Sequence, residues 1–255
     1  MRANHVPLIL SVETATRAGS VVVARGDSLL ATRVGDATVS HSAHLLRQVR
    51  EALEEAGSTL AEVDLFAVAT GPGSFTGLRI GLATVKSFAA TLGRLCAGVP
   101  TLHAVAHAAG TSTRTLALLP AGRGELFAQV LTVEGPGRVA PQGEPAHLTP
   151  QELLEKVKTL RTLRWAGEGT RLHAETIKAF AAAAGVQVWD ELEQGRAPEG
   201  YENSWTLAPA SKPLAGEVAV LSLNIWGEEG ALPPERLQAL YVRPSDAEIN
   251  ETCRT

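Results

Sequence analysis

The chain has 255 residues, of which 45% are hydrophobic and 20% are charged, and its net charge is −4. This composition is typical of a globular protein with room for one large domain or two lobes. A protein that grips nucleic acid by itself usually has a basic face, which this charge balance does not indicate, so contact with RNA is expected to be indirect. Two cysteines are too few for a disulfide framework, and no apolar run is long enough to span a membrane. A cytoplasmic protein is therefore predicted.

The first hundred residues predict three strands, followed by alternating helices and strands. Apolar runs separated by turns predict strands over residues 8–13, 20–24 and 29–34. Residues 40–56 have helical spacing and end at Gly57. The apolar stripe of this helix is predicted to contain Leu45, Leu46, Val49, Ala52, Leu53 and Ala56. A strand over 65–69, a helix from Leu78, an apolar stretch over 96–100 and a helical segment over 102–109 complete the order β-β-β-α-β-α-β-α.

The most specific stretch is the glycine-rich loop Gly71-Pro72-Gly73-Ser74-Phe75-Thr76-Gly77-Leu78-Arg79. Its glycines and proline allow a sharp turn where side chains would clash. Ser74 or Thr76 can cap the following helix, and the free N–H groups at its start are suited to an anion or to a partner's carbonyl. The loop lacks the lysine of a P-loop. Small residues in the helix favour packing against a partner over phosphate binding.

The second half repeats the order of the first in reduced form. We predict a hairpin over 115–119 and 125–133, a loop over 135–145, a helix beginning at Pro150, a strand over 163–166, one alanine-rich helix over 171–184 and a strand over 186–189. Residues 191–212 are predicted to be irregular, with Trp205 in a polar loop, and 214–226 to be the last full helix. Lobes are expected over 1–112 and 113–213, with 214–255 packing back on the first lobe.

Several stretches resemble the bacterial TsaB (YeaZ) family. They are Ile9-Leu10-Ser11-Val12-Glu13-Thr14-Ala15-Thr16, Ser20-Val21-Val22-Val23, His41-Ser42, the glycine-rich loop with Ile80-Gly81, residues 122–127, Gly167-Glu168-Gly169 and Leu240-Tyr241-Val242-Arg243-Pro244. The resemblance covers nearly the whole chain and is strongest over residues 8–100.

The resemblance implies a two-lobed α/β fold of the actin, Hsp70 and sugar-kinase class (ASKHA), built from ribonuclease-H-like halves with the second lobe reduced. It also implies a part in adding threonylcarbamoyl to the adenosine next to the anticodon in tRNAs that read ANN codons. TsaB-like proteins pair with the transferase TsaD as non-catalytic partners, and the small ATPase TsaE resets the complex. They also form homodimers through helices of the first lobe. ATP and a metal ion would be bound by the partner subunits, tRNA would be reached only through the complex, and no membrane would be involved.

Two positions argue against catalysis by this chain. An active member of the fold needs acidic residues on the first strands of both lobes, which place a metal ion at nucleotide phosphates. Glu13 stands where the family usually has Asp, and its extra methylene moves the carboxylate by about 1.5 Å. The second-lobe position falls at Pro120, which cannot bind a metal. We expect a degenerate phosphate site at Glu13 and Thr14, no catalytic residue and no cofactor bound by this chain alone.

Two histidine pairs have alternative interpretations. His103 and His107 are four residues apart on a predicted helix, a spacing that can bind a transition metal and that resembles a metal motif of TsaD. Two ordinary surface histidines are the favoured interpretation, because short motifs often match by chance. His41 and His44, at a helix start, are predicted to act in capping or in an interface.

The leading hypothesis is a non-enzymatic scaffold that binds TsaD. The predicted interface comprises His41, His44, Arg47, Gly73, Ser74, Phe75, Thr76, Gly77, Arg79 and Gly81. Arg79→Glu and Gly81→Trp variants are expected to fold but not to pair with TsaD. The alternative is a catalytic, ATP-dependent carbamoyl or phosphoryl transferase of the same fold, with Glu13 or the His103/His107 pair as metal ligand.

Overall fold

The computed structural model describes residues 5–38, 40–197, 203–209, 213–228 and 230–242. These residues divide into two compact units, each with its own sheet and core. The first unit draws on residues within 1–104, 136–138 and 212–239, and the second on residues within 105–135, 139–211 and 240–255. Residues 243–255, which the sequence interpretation placed against the first lobe, lie outside the described residues, as do Arg243 and Pro244 of the family resemblance.

The first unit begins with the predicted order of strands and helices. Its elements are β1 (Leu8–Glu13), β2 (Ser20–Arg25), β3 (Ser28–Val34), α1 (His41–Glu55), β4 (Leu65–Gly71), α2 (Phe75–Leu92) and β5 (Leu95–Pro100), with a short 3₁₀ helix at Leu60–Glu62, and α3 (Thr101–Ala108) begins in this unit and ends in the second. The sheet has the strand order β3-β2-β1-β4-β5. β1, β2 and β3 pair antiparallel as a meander, and β4 and β5 add to it in parallel. Both the order β-β-β-α-β-α-β-α and the meander were predicted from the sequence, and both are confirmed.

One face of this sheet is packed by α1 and α2. Alternate residues of β1, such as Leu10 and Val12, contact the buried stripe of α1 and Leu82 and Val85 of α2. The predicted stripe of α1 is wrong at Leu46, which is 62% exposed. His44 and Gln48 are buried instead. Two polar residues therefore lie on the inner face, where an apolar pattern cannot reveal them.

The second unit contains one larger sheet. Its elements are β6 (Ser112–Gly122), β7 (Glu125–Gly135), β8 (Arg138–Pro141), β9 (Ala146–Leu148), α4 (Pro150–Val157), β10 (Leu163–Ala166), α5 (Glu168–Leu172), α6 (Ala174–Ala183), β11 (Gln187–Asp190), α7 (Glu191–Gln194) and β12 (Ser204–Leu207). The strand order is β11-β12-β10-β6-β7-β8, and β9 pairs with β7. The predicted hairpin is β6–β7, and the predicted start at Pro150 is the start of α4, which a capping box of Thr149 and Glu152 closes.

Three predictions for this unit are wrong. The expected loop over 135–145 contains β8, and the expected single alanine-rich helix is interrupted at His173. The stretch expected to be irregular contains α7 and β12. Trp205 lies on β12 between two parallel neighbours, fully buried, and its ring centroid is 4.9 Å from that of Trp165. Four residues are too short for a periodicity to indicate a strand, so β12 is defined by its neighbours in the sheet.

The last helix, α8 (Leu214–Gly227), returns to the first unit. The hydroxyl of Ser11 donates to the carbonyl of Ala215 at 2.7 Å, and the Ser20 hydroxyl accepts from the Ala215 N–H at 3.0 Å. Because successive residues of a strand point to opposite faces, α8 covers the face of β1 that α1 and α2 leave open. Among the described residues, no helix is long and apolar enough to cross a bilayer.

Candidate functional site

The end of β1 and the start of α2 lie in direct contact. The Thr14 hydroxyl donates to the carbonyl of Gly77 at 2.8 Å, and the Ser74 N–H donates to the carbonyl of Ala15 at 2.8 Å. Ser74 is the N-cap of α2, and its hydroxyl accepts from the Gly77 N–H at 3.2 Å. Of the two capping residues proposed from the sequence, the structure therefore uses Ser74. The glycine-rich loop is held by the chain's own first strand.

The glycines of the loop make this contact possible. A Cβ atom on Gly77 would lie 1.9 Å from the carbonyl oxygen of Thr14, and one on Gly81 would lie 2.2 Å from the Thr14 hydroxyl oxygen. A Cβ on Gly73 would lie 2.5 Å from the carbonyl oxygen of Ala15. Packing within the unit accounts for all three. The expectation that a Gly81→Trp chain would fold is therefore wrong, because an indole cannot be placed where one methyl group already overlaps.

Glu13 is engaged by its own turn. Its carboxylate accepts from the Thr16 N–H at 2.7 Å and from the Thr16 hydroxyl at 2.8 Å, and only 1% of the residue is exposed. In the second lobe, the position at which an active member of the fold is expected to have an acid is Pro120 of β6. Pro120 lies opposite Leu126 of β7, and its side chain has no atom that can bind a metal ion. In the part of the chain that the structure describes, no three His, Cys, Asp or Glu side chains are arranged to hold a metal ion. These residues do not fit the metal-assisted phosphate site of an active ASKHA protein.

His41 and His44 pack into the first unit at the start of α1. Nε2 of His41 lies 3.0 Å from the carbonyl oxygen of Thr16. Because a carbonyl only accepts, the hydrogen-bond network assigns the proton of neutral His41 to Nε2. Burial lowers the pKa of His41, nearby His44 lowers it further, and the Thr16 contact opposes both. His44 is buried, with its ring centroid 6.1 Å from that of His41.

The solvent-facing part of the predicted interface is smaller than the set named from the sequence. Ser74, Thr76 and Arg79 are exposed, and Arg47 has 66% of its side chain exposed. The guanidinium carbon of Arg79 lies 3.9 Å from the ring centroid of Phe75, a cation–π geometry that holds the side chain against the first turn of α2.

Leu46 of α1 and three small residues of α2 also face solvent. The α2 residues are Ala83, Ser87 and Ala90, all exposed. Sequence reasoning missed Leu46, which it placed inside, and Thr16, whose contacts with Glu13 and His41 close the turn after β1. The spacing of Glu13 and Thr16, three residues apart after a buried strand, is the signal that could have indicated such a turn.

His103 and His107 lie one turn apart on α3, and both are partly buried. Burial lowers the pKa of His103. No third protein ligand joins the pair among the described residues, so metal binding by this pair has no support beyond its spacing.

Comparison with known proteins connects this geometry to a family. Residues 35–190, more than half of the chain, match the family model described as TsaD: tRNA N6-adenosine threonylcarbamoyltransferase. The tRNA threonylcarbamoyladenosine biosynthesis protein TsaB of Escherichia coli (strain K12) is 26% identical over 240 residues, which is 92% of this chain and 94% of that protein.

Two solved structures from Pseudomonas aeruginosa have similar folds. An uncharacterized protein with similarity to peptidase YEAZ aligns with a TM-score of 0.68 and 24% identity over 93% of this chain and all of the other. YeaZ itself aligns with a TM-score of 0.66 and 23% identity over 92% of this chain and 99% of the other. At these identities the alignments show the fold alone.

Fold and comparisons together define an α/β protein of the actin, Hsp70 and sugar-kinase class, which confirms the predicted fold class. The second lobe was expected to be reduced, but its sheet has seven strands and that of the first unit has five. The chain belongs to the family that the matched model describes, and it is similar to TsaB and YeaZ over more than nine-tenths of its length.

Proposed function

We propose that this chain is a non-catalytic subunit of the complex that adds threonylcarbamoyl to adenosine in tRNA, and that it acts by pairing with the transferase TsaD. Its similarity to TsaB of Escherichia coli over 92% of the chain supports a part in tRNA threonylcarbamoyladenosine biosynthesis. In this proposal ATP, the metal ion and tRNA are bound by the other subunits, which include the ATPase TsaE.

The observation that carries the non-catalytic part of the proposal is the closed turn after β1. Thr16 uses both oxygens of Glu13, and Thr14 binds the carbonyl of Gly77. A metal ion at this position would have to displace hydrogen bonds made by a buried carboxylate, and such bonds contribute about 1.5–3 kcal/mol each. The second lobe offers Pro120 where an acid is needed. These contacts support the proposal that Glu13 and Thr14 serve the packing of the first unit and bind no phosphate or metal ion.

The pairing surface is the exposed side of α1 and α2 near their first turns. Arg79 of α2 and the neighbours Leu46 and Arg47 of α1 are all exposed, and the small residues of α2 allow a partner helix to approach closely. Arginine is enriched among the interface residues that contribute most to binding. The hydrogen bonds that Thr14 and Ser74 form with Gly77 fix the start of α2 and thus the position of Arg79.

Calorimetric titration of the full chain with Mg-ATP tests the non-catalytic assignment. We expect no measurable binding and no hydrolysis. A Glu13→Asp variant is the matched comparison, because it restores the shorter acid that the fold usually carries. It is expected to remain inactive, since Pro120 still supplies no ligand. Micromolar binding with turnover by the unaltered chain would establish the catalytic alternative and contradict the proposal.

A further inference from the structure

A cluster of exposed cations lies at the end of α4 in the second unit. Three residues form this basic cluster, Lys156, Lys158 and Arg161, and all three are exposed. They belong to the stretch Lys156-Val157-Lys158-Thr159-Leu160-Arg161-Thr162-Leu163-Arg164, in which four of nine residues are cationic. Short stretches rich in Lys and Arg occur in nucleic-acid contacts, but they also match by chance. The placement and the pairing of these charges therefore decide what the stretch can do.

The basic cluster lies at the amino ends of parallel strands. β10 runs parallel to β12, and β12 runs parallel to β11. Arg161 and Thr162 directly precede β10. The segment is fixed beside β12, because the Trp205 indole donates to the Leu160 carbonyl at 2.8 Å. The Asn203 N–H, just before β12, donates to the Thr162 hydroxyl at 3.1 Å.

Acidic residues lie at the other, carboxyl ends of these strands and are paired there. Asp190, the last residue of β11, forms ion pairs with Arg171 at 2.8 Å and with Lys178 at 3.0 Å. Arg164, the fourth cation of the stretch, is bound through two nitrogens by the carboxylate of Glu191. Arg164 is thus neutralised within the unit, and the three residues of the basic cluster are left facing solvent.

Little of the chain's own charge opposes the basic cluster. The sequence has no Asp or Glu in residues 156–167 or 176–189, the segments that lead into β10 and β11. Lys158 pairs with Glu155 at 2.7 Å, but more than half of each side chain is exposed, and exposed pairs of this kind contribute little. Arg161 donates to the Ala184 carbonyl at 3.4 Å through one nitrogen, which is one of five N–H donors. An incoming anion can therefore be bound by all three side chains.

We propose that the basic cluster contacts the phosphate backbone of the tRNA while the other subunits hold that tRNA in the complex. This inference rests on the proposed function. The exposed neighbours of the cluster are polar, namely Thr159, Thr162, Gln187 and Asn203, and such side chains, with Lys and Arg, make most phosphate contacts. A protein-binding surface would be expected to have an apolar centre.

The size of the basic cluster sets the strength of this contact. Three phosphate contacts are fewer than the six to ten that independent binders of nucleic acid make. The cluster therefore adds affinity without sequence preference to a tRNA that is already bound elsewhere. This is compatible with the net charge of −4 of the whole chain, because the charges of the second unit are separated between the two ends of its strands.

Binding of a fluorescently labelled ANN-decoding tRNA to the complex of the full chain with TsaD tests the inference. Anisotropy is measured between about 50 and 200 mM salt with the unaltered chain and with a Lys156→Gln, Lys158→Gln, Arg161→Gln chain. The slope of log K against log salt should become shallower by about 2 to 3, because each lost phosphate contact removes about 0.7–0.9. The Kd at about 100 mM salt should rise at least about tenfold. Exchanging Lys for Arg and Arg for Lys at the same positions should preserve both values.

A chain with the same loss of charge elsewhere is the matched control. It carries Arg25→Gln, Arg196→Gln and Arg236→Gln, at three exposed arginines outside the basic cluster, and it should keep the slope and the Kd of the unaltered chain. An equal loss in this control would show that only overall charge matters and would overturn the inference.

Pull-down with TsaD separates failure of this inference from failure of the proposed function. The chain with the altered basic cluster should pair normally. If it pairs but keeps the original slope and Kd, the inference is wrong and the proposed function stands. If it no longer pairs, the cluster contacts a protein instead of RNA, which also overturns the inference. Absence of pairing by the unaltered chain would contradict the proposed function and the inference together.

Discussion

Thr14, at the end of the first strand, is in hydrogen-bond contact with Gly77, in the first turn of the second helix, at 2.8 Å. The contact exists because Gly77 has no Cβ, which would lie 1.9 Å from the Thr14 carbonyl oxygen. It joins the two features that make the sequence recognisable, the Glu13-Thr14 segment and the glycine-rich loop. In this chain the two features are in direct contact with each other.

Gly77→Ala should therefore destabilise the first unit. The added methyl group forces α2 away from β1, and overpacking of this kind costs about 1–3 kcal/mol in the free energy of unfolding. Urea denaturation measures the loss. Gly227→Ala is the control, since a Cβ there meets nothing within 4 Å. Equal stability of the Gly77→Ala chain and the original chain would show that the helix start adjusts freely.

Thr16→Val should cost more than a similar substitution elsewhere. It removes a hydroxyl that donates to the buried carboxylate of Glu13, and a bond to a charged group contributes about 1.5–3 kcal/mol. Thr38→Val is the matched control, because the Thr38 hydroxyl also donates to a carboxylate, that of Asp36, but on an exposed loop. Similar urea midpoints for the two variants would contradict a special role for the turn after β1.

The stability of the chain should fall as the pH drops below about 6.5. Burial, followed by the influence of His44, lowers the pKa of His41 from 6.5 in the folded state, and burial does the same to His103. The unfolded chain then binds protons more readily than the folded chain, so unfolding is favoured from about pH 6.5 down through the lowered pKa of each histidine.

Urea unfolding between pH 8 and pH 5 measures this loss. Asp64 and Asp190 have lowered pKa values, so they stay ionised in this interval and do not contribute. A His41→Asn chain should lose less stability over the same interval than the original chain. Identical pH profiles for the two chains would show that His41 is not responsible.

Arg79→Glu should abolish pairing with TsaD without unfolding the chain. The side chain is exposed and contacts Phe75, so the free energy of unfolding should change by no more than about 0.5 kcal/mol. Pull-down with TsaD measures pairing. Lys156→Glu, an equal charge reversal at an exposed residue of α4, should pair normally. Undiminished pairing of the Arg79→Glu chain would remove this surface from the proposed interface.

The first unit was largely predictable from the sequence. Its strands are apolar runs bounded by turns, and its helices carry long periodic patterns, so local signals and tertiary structure agree at Leu8–Glu13, His41–Glu55 and Phe75–Leu92. Ser74 was readable as a cap because its position before a helix gives a serine one dominant role. The exposure of Leu46 was not predictable, because His44 and Gln48 take buried positions on α1 that an apolar pattern assigns to hydrophobic residues.

The second unit and the candidate site were less predictable. β12 has only four residues, and Trp205 is buried because β10 and β11 flank it. A short stretch of sequence around Trp205 does not include these two strands. The contact between Thr14 and Gly77 joins residues 63 positions apart. A sequence pattern indicates that glycine is needed in the loop. The pattern does not show which neighbouring atom leaves no room for a side chain. The sequence interpretation therefore explained the glycines by contact with a partner, whereas the structure explains them by contact with Thr14.

The most direct test of the central claim is reconstitution of the tRNA modification from purified components. The synthase that makes threonylcarbamoyl-adenylate, TsaD, TsaE and an ANN-decoding tRNA are combined with and without this chain, and the modified nucleoside is measured. The account predicts modification only when the chain is present, and undiminished modification with the Glu13→Gln chain, since that carboxylate takes no part in chemistry. Full modification without the chain, or loss of modification with a folded and TsaD-bound Glu13→Gln chain, would contradict it.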